Sequence, residues 1–241
     1  MLTFLQYAFI FVTGCMLGWV LELLFNRIFN KKWINPGFLV GPWLPIYGFG
    51  VVAMTLIYSS LSDKFQPWAI LLIMTASMTL LELIGGIIFE KYFNVRLWDY
   101  SKYWGNIKGY ICPLFTMIWL LGAAFYYYVL SDPIIAMTSW LASHIAFSFV
   151  IGLLYGVLVV DVVYSTRLII KIRQYAIDSQ ILVKYEELKL NIKELSEKYK
   201  KKYSFLFPFK NFDIVVKKTG SFATTLFNKL FIKKVKKELK K

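Results

Sequence analysis

One histidine, two cysteines and 17% charged residues are a thin supply of reactive chemistry for 241 residues. His144 is the sole histidine, and with these neighbours it cannot make a metal site. Cys15 and Cys112 fall in or beside apolar runs, where a cysteine behaves as a small hydrophobe. Neither has the spacing of a zinc or redox motif, so they do not report a compartment. No nucleophile motif is present, and no cofactor is expected. The first cation is Arg27, which leaves no basic n-region and argues against a cleaved signal peptide. The shortage of charge excludes a soluble domain: 58% of residues are hydrophobic, 19% are aromatic and the mean hydropathy is +0.57. A soluble chain of this size needs far more polar surface to cover its core.

What charge there is sits unevenly. Residues 1–163 carry 8 Lys/Arg against 7 Asp/Glu, and 164–241 carry 20 against 7, so nearly all of the net +14 belongs to the last third. The chain therefore divides into an apolar body, 1–163, and a basic tail, 164–241. Crossing the hydrocarbon core takes about 20 apolar residues. Five segments qualify, at about 3–25, 40–60, 67–90, 110–130 and 134–163, giving an all-α polytopic membrane bundle with a basic helical tail. The connection after the first span holds Arg27, Lys31 and Lys32, the next only Lys64, the third Lys91, Arg96, Lys102 and Lys108, and the fourth, around Ser131-Asp132-Pro133, none. This alternation predicts a multi-pass cell-membrane protein with its N-terminus outside and its C-terminus in the cytoplasm.

Acids within membrane helices are costly and face a protein interior or water. Glu22, Glu82, Glu90 and Asp161 all fall in the predicted cytoplasmic half. Three rows at four-residue spacing, Gly14–Gly18–Glu22, Glu82–Gly86–Glu90 and His144–Ser148–Gly152–Gly156, place polar groups beside small residues that admit a close helix neighbour. Together they predict a shared polar interior; the competing role is local, with the acids satisfying neighbouring helices or snorkelling to the interface. Two further segments have unusual composition. Asn35 to Gly48 contains Gly37, Gly41, Pro42 and Pro45 ahead of Tyr47, which precludes an ordinary helix start. Irregular backbone at membrane depth survives only where it is buried or lines a wet cavity. The second segment, Trp98-Asp99-Tyr100-Ser101 with Asn106 and Gly109, combines an acid with hydrogen-bonding and interfacial aromatic groups.

In these residues the chain resembles the CmpB-type ABC-transporter permease family of multi-pass bacterial membrane proteins. The matching elements are Gly18-Trp19 with Glu22; Asn35, Gly37-Phe38-Leu39, Gly41-Pro42 and Pro45-Ile46-Tyr47-Gly48; Glu82 with Gly86 and Glu90; and Trp98-Asp99-Tyr100-Ser101 with Asn106 and Gly109. They span about residues 14–120. The resemblance implies a cytoplasmic-membrane protein with a transport role. There is no Walker A motif, so any ATPase would be a separate chain.

The tail reads as a helix to about residue 202, running out of the last span. Ile181, Tyr185, Leu188, Ile192, Leu195 and Tyr199 form a seam of alternating four and three spacing, suited to self-association, as in a homo-oligomer, or to packing on the chain's own body. From about 221 to 240 an amphipathic basic helix suits the lipids of an anionic leaflet. No recognition fold or stacking platform points to nucleic acid. Three functions follow. The first is a transporter or permease component for an ion or small cationic solute, binding at Glu22, Glu82, Glu90, Trp98, Asp99, Tyr100 and Asn106, shaped by Asn35, Gly37, Gly41, Pro42, Pro45, Tyr47, Gly48 and Gly86. The second is a membrane-embedded enzyme on lipid head groups, and the third a non-catalytic anchor working through its tail.

Overall fold

The structure, a computed structural model, describes residues 2–29, 31, 33–178, 182–198 and 204–207. Its helices are α1 (Phe4–Ile28), α2 (Pro45–Leu61), α3 (Pro67–Phe93), α4 (Pro113–Phe125), α5 (Ser131–Ser143), α6 (Ile145–Asp178) and α7 (Tyr185–Lys198). Two short strands, β1 (Val95–Arg96) and β2 (Val183–Lys184), pair in parallel. Among the described residues four helices are long and apolar enough to cross a membrane: Phe4–Ile28, Pro67–Phe93, Pro113–Ser143 and Ala146–Gln174. The chain is a multi-pass all-α membrane bundle.

Sequence punctuation explains most of the ends. Thr3 caps α1, its hydroxyl accepting from the Gln6 N–H while the Gln6 side chain reaches back to the Thr3 N–H. Pro45, Pro67 and Pro113 each open a helix, where the missing N–H has no intrahelical partner to lose. Asn94 closes α3 in the left-handed conformation.

Three boundaries differ from the sequence expectation. The second predicted span, 40–60, is helical only over the 17 residues of α2, about 26 Å; residues 37–44 remain irregular. The helix of α4 does not stop at Ser131-Asp132-Pro133. It passes through one π-helical turn, Tyr126–Leu130, into α5, and the break falls at His144 instead. A π turn shifts the hydrogen-bond register just ahead of Pro133, the residue whose ring and missing N–H disturb a regular α-helix. Finally, the predicted single helix from the last span into the tail is interrupted: Val183 and Lys184 pair with Val95 and Arg96 before α7 begins.

α2 packs between α1 and α3, and Met54, Ile70, Met74, Met78, Ala123 and Tyr126 form one core. α1 and α6 run alongside: Tyr155 donates to the Ala8 carbonyl near the start of α1, and Phe9, Val12 and Cys15 meet Ile151 and Leu158. α1, α3 and α6 finish at one end, called here the basic end, because Arg27, Lys91, Arg96, Lys102 and Lys108 lie there. α7 is seated at this end. Tyr185, Leu188 and Ile192, three members of the predicted seam, are buried with Val95, Ile169 and Ile172. Of the two readings of the seam, the one in which it packs on the chain's own body is the one observed. Ile181, Tyr199 and the predicted helix at 221–240 lie outside the described residues.

The three small-residue rows fare differently. Gly14 lies 3.1 Å, measured from an added Cβ, from the Gly48 Cα, and Gly86 lies 2.9 Å from the Tyr110 ring on the same measure. Around Gly152 and Gly156 nothing lies within 4 Å of an added Cβ, so these two glycines of the third row admit no close neighbour among the described residues. His144 is exposed at the α5–α6 break, its Nδ1 2.7 Å from the Trp140 carbonyl.

Candidate functional site

The first two rows bring Glu22 and Glu82 together through aromatic side chains. On α1, Gly18 leaves room for the Tyr47 ring, which an added Cβ would strike. The ring therefore lies across α1 and directs its hydroxyl to Glu22 Oε2, 3.0 Å away. Tyr47 also meets Trp119 of α4, ring centroids 5.6 Å apart. The Trp119 indole N–H donates to Glu82 Oε2 at 3.2 Å, and the Tyr100 hydroxyl donates to Glu82 Oε1 at 2.7 Å. Tyr100 is in turn stacked on Phe115 at 4.2 Å. Glu22, Tyr47, Trp119, Glu82 and Tyr100 thus form one connected cluster at the basic end, drawn from α1, α2, α3, α4 and the loop between α3 and α4. Burial, then the neighbouring Glu82 carboxylate, hold the Tyr100 hydroxyl far above the usual phenol range, so it remains a donor. Among the described residues no Lys or Arg lies within ion-pair distance of Glu22 or Glu82.

Glu90 and Asp99 belong to a different arrangement. Arg96 donates to Glu90 Oε2 from Nε (2.8 Å) and Nη2 (2.5 Å), and to Asp99 Oδ1 from Nη1 (3.1 Å). Lys184 of β2 closes on Asp99 Oδ2 at 2.6 Å, and the Ser101 N–H donates to Oδ1. Burial by itself would raise the Asp99 pKa, but Lys184 and the Ser101 N–H outweigh it and leave the carboxyl well below the usual range. This network ties the α3–α4 loop to the strand before α7. Trp98 covers Gly85 and donates to the Tyr110 carbonyl at 3.0 Å; Asn106 accepts from the Gly109 N–H and donates to the Tyr103 carbonyl, holding the loop's hairpin.

The Gly-Pro block is buried or half-buried, and α1, α6 and α7 each meet some of its polar groups, while the buried Trp43 indole N–H has no partner among the described residues. Asn35 Oδ1 accepts from Trp19 Nε1 at 2.6 Å, while Nδ2 donates to the Leu39 (3.2 Å) and Val40 (2.7 Å) carbonyls. Asp161 of α6 accepts from the successive N–H groups of Val40 (3.0 Å) and Gly41 (2.6 Å). Lys189 of α7, 2% exposed, donates to the carbonyls of Asn35 (2.7 Å) and Gly37 (2.6 Å). Gly37 is left-handed at φ +68°, and Gly41 has no space for a Cβ between the Trp43 indole and Asp161. Pro42 follows Gly41 in the turn, Pro45 opens α2, and Gly48 packs against Cys15 and Phe11. Of the two environments that allow irregular backbone at this depth, the block has the buried one.

Of the predicted site residues, the structure therefore brings Glu22, Glu82, Tyr100 and Tyr47 together, and it sets Glu90 of α3 apart with Asp99, Trp98 and Asn106 of the loop that covers α3. An open cavity of about 560 Å³ flanks α3 at the basic end, lined by Leu83, Ile87, Glu90, Lys91, Asn94, Ile107, Lys108 and Tyr110. Glu22, Glu82 and Asp99 do not line it. Sequence reasoning missed Trp119 and Lys189. Both carry a readable signal: Trp119 is an indole N–H inside an apolar run, where it needs an acceptor. Lys189 lies within the apolar seam, four residues from Tyr185 and three from Ile192.

The fold defines a multi-pass membrane protein. Residues 9–166 match the family model described as "Putative ABC-transporter type IV". The chain belongs to this family. The match runs from within α1 through most of α6, and takes in every residue of the acid–aromatic cluster; α7 and Lys189 fall beyond it. No curated protein and no solved structure gives a significant match.

Proposed function

We propose that this chain is the membrane-spanning component of a transporter and that it takes a cation at Glu22 and Glu82, in partnership with an ATPase carried on a separate chain. The observation that supports this is the pair of carboxyl groups from two helices, Glu82 buried and Glu22 half-buried, joined by Tyr47, Trp119 and Tyr100, with no described Lys or Arg in ion-pair reach. Carboxylates in a low-dielectric interior favour a cation, and aromatic faces beside them favour an organic one. The basic end faces the cytoplasm in this reading, by the Lys/Arg bias of its connections. There it presents the α3–α4 loop and α7 to a soluble partner.

Tryptophan emission is the first test, because Trp119 touches Glu82. Purified protein in lipid nanodiscs is titrated with sodium, potassium, guanidinium and tetraethylammonium. Saturable quenching by one of them, absent in Trp119→Phe and weakened at least about tenfold in Glu82→Gln, is the expected result. No saturable response to any of these cations would remove the site from this role.

A second reading has its own support in Lys189. The close seat of α7 suits an anchor that works through its tail, and truncation after residue 178 with retention of cation binding but loss of the cellular phenotype would favour it.

A further inference from the structure

The cavity beside α3 is separate from the acid–aromatic cluster, and the cation proposal does not use it. Its inner wall is one face of α3: Leu83, Ile87, Glu90/Lys91 and Asn94 follow spacings of three and four. From Leu83 to its end at Phe93 the helix rises about 15 Å, and the character changes along the way. Leu83 and Ile87 are apolar, whereas Lys91 and Asn94 at the helix end are polar. The outer wall is Ile107, Lys108 and Tyr110, from the hairpin that Asn106 holds. Lys108 sits there in the left-handed region, φ +51°, next to Gly109 at φ +76°. A non-glycine residue in that region persists only where its surroundings determine it. Here the Tyr110 N–H bonded to the Ile107 carbonyl and the Ile107–Ile111 bridge fix the turn that carries the lysine.

Charge in the groove is unbalanced. Glu90 is engaged by Arg96 through two donors. Among the described residues no carboxylate lies within ion-pair distance of Lys91 or Lys108. The last carbonyls of α3 disfavour an anion at this helix end, so any attraction must come from the two ammonium groups. The cavity is open, and Ile87, 40% exposed, continues its apolar wall along the membrane-facing side of α3.

A soluble anion would use the lysines and leave Leu83, Ile87 and Ile107 without purpose. A neutral amphiphile would use the apolar wall and ignore the cations. From the two together we infer that this groove binds an anionic glycerophospholipid, its phosphate between Lys91 and Lys108, its head group within reach of Asn94, and one acyl chain along Leu83 and Ile87. The volume of about 560 Å³ suits a head group and the upper part of one chain.

Native mass spectrometry of the full chain, released from mixed phosphatidylglycerol–phosphatidylcholine nanodiscs, tests it. The comparison is between wild type and the double variant Lys91→Gln/Lys108→Gln, which carry the same basic tail. A second double variant, Lys64→Gln/Lys102→Gln, removes two cations outside the groove. The expected result is one phosphatidylglycerol retained by wild type and by the Lys64/Lys102 variant, and weakened about thirtyfold in the Lys91/Lys108 variant. Ile87→Asp, which places a like charge in the acyl path, lowers retention as well. Equal retention by wild type and the Lys91/Lys108 variant overturns the site. Displacement of the lipid by excess inorganic phosphate, with Ile87→Asp behaving as wild type, assigns the two lysines to a free phosphate and overturns the lipid. Circular dichroism and thermal unfolding of each variant, matched to wild type, exclude misfolding as the cause of any loss.

Discussion

Replacing Lys189 with methionine should loosen α7 from the body without unfolding the bundle. The side chain is buried, its amine donates to the carbonyls of Asn35 and Gly37, and it lies 4.5 Å from the Tyr185 ring centroid. Burial brings its pKa down to about 7, partly opposed by Glu186, so near neutral pH the group is poised between ammonium and amine. Both forms can donate to both carbonyls. Methionine keeps most of the packing but offers no donor, and each abandoned buried carbonyl costs about 1–3 kcal/mol. Some of that is recovered because no charge need be buried. A net loss of about 2 kcal/mol corresponds to roughly a thirtyfold weaker seat for α7. Backbone hydrogen exchange over residues 185–198 in nanodiscs reads this directly: local opening should speed exchange by that factor while α1 and α3 exchange as before. Identical exchange of α7 in both proteins would show that the two hydrogen bonds do not hold it.

The same amine makes the seat pH-dependent. Exposed, Lys189 holds its proton up to about pH 10.5, and docked it gives it up near 7, so the undocked state binds more protons between these values. Docking therefore strengthens as pH rises through that window, by up to about 1.4 kcal/mol per unit, and this group contributes no further change below about 7. Exchange over 185–198, corrected for its intrinsic pH dependence, should slow from pH 7 to 9 in wild type and not in Lys189→Met. At Gly18, alanine would press on the Tyr47 ring, and overpacking of this kind costs about 1–3 kcal/mol; the apparent Tm in detergent should fall, and an unchanged Tm would mean the ring has slack. Asp161→Ala leaves the Val40 and Gly41 N–H groups without their acceptor. A loss of about 2–4 kcal/mol is expected, read as faster exchange at residues 39–41.

Four of the five expected spans were legible because lipid demands long apolar helices; the second, α2, is a shorter apolar helix behind the irregular Gly-Pro block. The acid rows of α1 and α3 were legible for a related reason. Where Gly18 and Gly86 permit a close neighbour, the acid one turn further on faces that neighbour. Gly152 and Gly156 have the same spacing yet no close neighbour among the described residues, so the motif alone does not fix a contact. Spacing also could not separate Asp99 from Tyr100: the two are adjacent, yet one turns to Arg96 and Lys184 and the other to Glu82. The pairing of Val95 with Val183 spans 88 residues and only two residue pairs, too short a pattern to read in advance. Ser131-Asp132-Pro133 looked like a loop because proline breaks regular helices, and a π turn ahead of it carries the helix through.

Uptake into inverted membrane vesicles tests the central claim most directly. With the cation that quenches Trp119 as the transported species, wild-type vesicles supplied with ATP and cytosol should accumulate it. Glu22→Gln and Glu82→Gln vesicles, holding equal amounts of folded protein, should not. Accumulation at the wild-type rate by both variants would contradict the assignment of the two carboxylates to transport.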